Sequence, residues 1–82
     1  MQKWEYTFIT CDSPEFQIEG WKRKPRWVDG QELRDWKNGP WIYEFSNQYG
    51  DEGWELVSAV INRAIDATSD NPLYIFKRPK QE

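Results

Sequence analysis

One stretch, Gly50-Asp51-Glu52-Gly53-Trp54-Glu55-Leu56-Val57-Ser58-Ala59-Val60-Ile61, constrains the fold of this chain more than any other. Two glycines three apart supply the positive backbone dihedrals that a helix C-cap and a tight turn require, and the acidic pair between them belongs in water. From Trp54 to Ile61 the residues are β-branched or aromatic often enough to read as a buried strand. Strict alternation would place Trp54, Leu56, Ser58 and Val60 on one face and Glu55, Val57, Ala59 and Ile61 on the other. A helix must therefore stop, turn and feed a strand.

The elements on either side follow from this join. Lys3 to Thr10 alternates, with Trp4, Tyr6 and Phe8 on one face and Lys3, Glu5 and Thr7 on the other, which predicts a half-buried strand. Asp12-Ser13-Pro14 ends it, and Glu15 to Glu19 has the apolar spacing of a short strand closed by Gly20. Trp21 to Val28 is extended by preference, because Pro25 fixes its own dihedral and drives Lys24 out of the helical region; the proline assigns it to an edge or a loop. Asp29-Gly30 between Val28 and Gln31 is the signal of a two-residue hairpin of the primed type, with Gln31 to Leu33 returning. The same residues, read on to Lys37, also suit a short helix with Leu33 and Trp36 inward.

Asn38-Gly39-Pro40 predicts a helix start, with asparagine or glycine as cap and proline at the first helical position, and the helix runs from Pro40 or Trp41 to Tyr49, where Gly50 stops it. Ile42, Phe45, Ser46 and Tyr49 form its inward stripe. Asn62 to Pro72 reads as a polar loop with turn chemistry at Asp70-Asn71-Pro72. Leu73 to Lys77 is the last strand, with Tyr74 and Phe76 on one face and Leu73, Ile75 and Lys77 on the other. The fold class expected is α+β: a small antiparallel sheet with one helix packed across one face, in a single domain spanning residues 1–82. One helix covers one face only, and the late strands carry apolar residues of both parities, so the other face is expected to expose an apolar patch and the chain to self-associate as a homodimer or higher oligomer.

Asn47-Gln48-Tyr49-Gly50-Asp51-Glu52-Gly53-Trp54-Glu55-Leu56-Val57-Ser58, with an opening Lys3-Trp4-Glu5-Tyr6 and a closing Phe76-Lys77-Arg78-Pro79, resembles the small prokaryotic and phage domains of the DUF4177 family, whose function is unknown. The likeness covers about half the chain, and residues 14–39 form an insert relative to the short members. It implies a fold and brings no catalytic residues with it.

Composition removes several function classes. The chain has no histidine and a single cysteine, Cys11. That denies it the usual base near neutral pH, the nucleophile systems that depend on such a base, and the ligands of a zinc site. No enzyme, cofactor or metal is expected. A formal charge of −3 opposes general nucleic-acid binding. A lone cysteine rules out an intrachain disulfide, and no apolar run reaches the length of a membrane span, so a cytoplasmic setting is expected.

Six tryptophans in so short a chain are the compositional outlier. Large rings can substitute for a larger core, since each buries on the order of 150 to 250 Å². Rings can also line a ligand site, and Trp21-Lys22-Arg23-Lys24-Pro25-Arg26-Trp27 sets four cations between two of them. Indoles stack on nucleobases and arginine forks fit phosphates. The expectation is therefore a non-catalytic oligomeric binding protein for a nucleotide-derived signalling ligand, held by Trp21, Arg23, Arg26 and Trp27 with Arg63 and Arg78. The alternative is a protein-interaction module with no small ligand, the cationic run then being an edge strand guarded against aggregation.

Overall fold

A computed structural model describes residues 1–14, 23–63 and 70–81, with the backbone alone at 61–63 and 70. The expected strand over 15–19 lies outside these residues. The chain runs β1 (Trp4–Asp12), β2 (Lys24–Val28), β3 (Gln31–Glu32), a 3-10 turn (Trp36–Asn38), α1 (Ile42–Asp51), β4 (Glu55–Arg63) and β5 (Asp70–Pro79). The strands form one antiparallel sheet in the order β3-β2-β1-β5-β4, with α1 across one face, as the α+β expectation had it. No described helix is long and apolar enough to cross a membrane.

The hairpin forms as its sequence dictates. Asp29 and Gly30 both hold positive φ, 50° and 85°, and Val28 pairs with Gln31 across the two-residue turn. Asp29 does a second job. Its backbone N–H donates to the Phe8 carbonyl at 2.8 Å, and its carboxylate accepts from the Phe8 N–H at 2.9 Å and from the Thr7 hydroxyl. The hairpin turn is thereby pinned to β1 at the point where the β1–β2 ladder ends, and the buried Thr7 is satisfied. Pro25 sits in β2, an inner strand rather than an edge, yet the two β2–β3 pairs involve only Trp27 and Val28. The missing proline donor therefore interrupts neither ladder bond of that pair.

The helix is displaced from its expected bounds at both ends. Trp41 is the N-cap, with its backbone N–H donating to Glu44 Oε1 at 3.2 Å, and Pro40 lies outside the helix. The Ile42 N–H, which a first turn leaves without an intrahelical partner, donates to the Arg23 carbonyl at 2.8 Å and ties the helix to the entry of β2. At the other end Gly50 does not stop the helix. It is helical, and Gly53 takes the positive φ, 90°. Trp54 N–H bonds to the Tyr49 carbonyl at 2.9 Å and Gly53 N–H to the Gly50 carbonyl at 3.0 Å, the paired bonds of a Schellman end. The accompanying apolar contact is present, for the Trp54 and Tyr49 rings stack at 5.7 Å.

The buried core is Ile9, Cys11, Ile42 and Phe76, with Val28, Phe45, Tyr49, Trp54 and Tyr74 packed on it. Burying Ile9 or Phe76 contributes roughly 1.5 to 3 kcal/mol each. Thr7, Ile9 and Cys11 thus form the inward face of β1, and Trp4, Tyr6 and Phe8 face away from the helix. The faces of β4 also differ from strict alternation. Leu56 pairs with Phe76 on the helix side, but a bulge between Leu56 and Ser58 leaves Val57 over, so Ser58 and Val60 pair with Ile75 and Leu73 on the far side. The expected loop from Asn62 is shorter as well, since Asn62 and Arg63 pair with Asn71 and Asp70 and both strands run on.

The two glycines of the helix end should respond to alanine with opposite signs. A methyl group meets nothing within 4 Å at either position. Gly50→Ala should stabilise by about 0.5 to 1 kcal/mol, through lower unfolded-state entropy in a helical site, and Gly53→Ala should destabilise by about 1 kcal/mol. Denaturant midpoints moving the same way for both would show that the helix ends elsewhere.

Candidate functional site

The residues expected to gather around a ligand are distributed over the sheet. Trp21 lies outside the described residues, and of Arg63 only the backbone is described, at the end of β4. Arg23 precedes β2, where its charge acts on Cys11 and Tyr74, residues of the helix-side core. Arg26 and Trp27 do meet. A bulge at Thr10/Cys11 in the β1–β2 ladder leaves Arg26 over, and the guanidinium stacks 4.6 Å from the Trp27 ring centroid and 4.9 Å from that of the buried Trp36. Arg78 stands far away. It pairs across from Glu5 and Arg26 lies beside Cys11, so roughly 20 Å of strand separates them at about 3.3 Å per residue.

The forks of Arg26 and Arg78 are already engaged. Arg26 donates through Nε to Glu32 at 2.8 Å and through its terminal nitrogen to Asp12 at 2.9 Å. The Glu32 bond, followed by that to Asp12, raises the guanidinium above its ordinary pKa. Arg78 bonds to Glu5 and to the Glu52 carbonyl, and lies 4.2 Å from the Trp54 ring centroid. It also lines a polar notch of about 390 Å³ with Glu5, Glu52, Gly53, Pro79 and Gln81. Small-molecule sites are mostly apolar with a few convergent polar groups; here the polar groups converge on one another.

The tryptophans follow the same rule. Trp4 carries Lys77 at 4.3 Å, Trp41 carries Lys24 at 4.5 Å, and with Trp27, Trp36 and Trp54 each of the five described indoles has a cation over its ring. Stacks of this kind contribute about 0.5 to 1 kcal/mol each at exposed sites. The unusual tryptophan content therefore has a structural use, in which small-domain rings are held by neighbouring cations.

What the structure does leave open is the face of the sheet opposite α1. Register places Trp4, Tyr6, Phe8 and Thr10 of β1 on it, beside Leu73, Ile75 and Lys77 of β5, Ser58 and Val60 of β4, and Trp27 of β2. Trp4, Tyr6 and Phe8 are 40%, 52% and 45% exposed, and Val60 is 43% exposed. Its charges are Lys77, cross-strand from Tyr6 and Glu55 and lying over the Trp4 ring, and at the other end Arg26 with its partners Asp12 and Glu32. Alternation in the sequence separated these side chains from Thr7 and Glu5 correctly. It could not say which set the helix would take. Compared with protein-family models, curated proteins and solved structures, the chain matches none.

Cys11 is fully buried beneath the helix, and burial pushes its thiol pKa up to about 12. Native protein at pH 8 should therefore resist iodoacetamide and react only once denatured, which intact-mass measurement before and after unfolding checks. Rapid labelling of the folded protein would contradict the core assignment.

Proposed function

We propose that this chain is a non-catalytic interaction module that binds a protein surface through the open face of its sheet. The exposed row Trp4, Tyr6 and Phe8 on the central strand carries the reading. Protein interfaces are enriched in Tyr, Trp, Phe and Arg and depleted of charge at their centre, with polar groups at the rim, and this face has that layout. The nucleotide reading requires cations able to leave for phosphate. Arg26 and Arg78 instead satisfy carboxylates of the same chain, and displacing either from its partner would leave Asp12, Glu32 or Glu5 without its counter-charge.

A thermal-shift screen with mono-, di- and cyclic nucleotides should therefore leave the melting temperature unchanged. An upward shift that Arg26→Ala abolishes would overturn the proposal in favour of a nucleotide site. Phe8→Asp supplies the complementary check. Because Phe8 lies outside the helix-side core, the variant should still fold, with stability within about 1 kcal/mol of the parent at concentrations where the chain is monomeric. A loss of several times that would show the face to be core.

A further inference from the structure

We infer that the partner of the open sheet face is a second copy of this chain, packed face to face about a twofold axis. This inference rests on the interaction reading above and names its partner. Among the described residues α1 is seated on the opposite face, the 3-10 turn packs against β2, and Trp4, Tyr6 and Phe8 remain exposed. A twisted sheet is covered well by another sheet of like twist about 10 Å away, with the side chains of the two inner faces interdigitating. The same face of a second copy meets that requirement, and the twofold dimer is the commonest closed assembly.

Charge and area point the same way. Phe8, Leu73, Ile75 and Val60 form an uncharged patch, and Lys77, cross-strand from Tyr6, lies over the Trp4 ring. The rim charges are paired within the chain, Arg26 with Asp12 and Glu32, so two such faces meet without an uncompensated charge at that rim. In a chain of net charge −3, an apolar patch adds no like-charge contact to the repulsion between copies. Three long strands spaced about 4.8 Å apart, nine residues at about 3.3 Å each, give a footprint on the order of 400 Å². Counted on both copies this is about 800 Å², the size of a weak, concentration-dependent contact.

Light scattering at roughly 100 µM protein, a concentration that populates complexes of micromolar affinity, tests the inference. The expected mass is twice the 9.9 kDa of one chain. Phe8→Asp and Tyr6→Asp should each raise the dissociation constant at least about tenfold, as loss of a central anchor does, and Tyr43→Asp, on the helix, should leave it unchanged. A single-chain mass for the parent at this concentration would overturn the second-copy inference, as would a dimer insensitive to both face substitutions. The monomeric outcome is then divided with the apolar dye bis-ANS. Dye fluorescence that Phe8→Asp removes would keep the interaction reading with a different partner, and no dye binding in either protein would remove both.

Discussion

A ten-residue helix must seal one face of a five-stranded sheet, and everything else about this domain depends on how that contact is made. At about ten residues the helix has no independent stability in water, so its position is set by the surface it finds. It is anchored at both ends. The Ile42 N–H reaches the Arg23 carbonyl, and the Schellman end hands Trp54 directly to Tyr49 before β4 begins. Between these anchors, Ile42, Phe45 and Tyr49 lie over Ile9, Cys11 and Phe76. The Tyr49 ring meets Phe76 edge-on at 5.3 Å and Phe45 at 4.4 Å, so the aromatic volume of the core comes from the helix, Trp54 and β5.

That division of volume accounts for the orientation of β1. Helix rings already fill the space above the sheet, and the central strand offers smaller side chains there: Thr7, Ile9 and Cys11. Trp4, Tyr6 and Phe8 would overfill the same space, and overpacking displaces neighbours or backbone. They take the opposite face, where Lys77 lies over Trp4. The face left open is thus a consequence of where the helix carries its rings. The interaction we propose for it follows from a packing decision made on the other side of the sheet.

Much of this was legible in the sequence. Asp29-Gly30 specified its hairpin because only residues tolerant of positive φ close a two-residue loop. The turn at Gly53 and the faces of β5 were legible for similarly local reasons. The two bulges were not: neither Val57 nor Arg26 carries a local mark that a strand will slip by one residue, and each slip depends on the pairing partner. The orientation of β1 was hidden because alternation distinguishes two faces without ranking them, and the larger rings turned outward. Arg78 stands apart from Arg26 and Trp27 for a topological reason. Arg78 closes the last strand at the end of β1 far from Arg26, a separation visible only once strand order is known.

The helix covers Thr7, Ile9, Cys11 and Phe76 and leaves Trp4, Tyr6 and Phe8 to solvent or to a partner. Hydroxyl-radical footprinting of dilute protein, read residue by residue by mass spectrometry, measures this directly. At concentrations low enough to keep the chain monomeric, Trp4, Tyr6 and Phe8 should be labelled readily, with Ile9, Cys11 and Phe76 protected until the protein unfolds. The reverse pattern, with Tyr6 and Phe8 protected and Ile9 and Phe76 labelled in the native monomer, would contradict it.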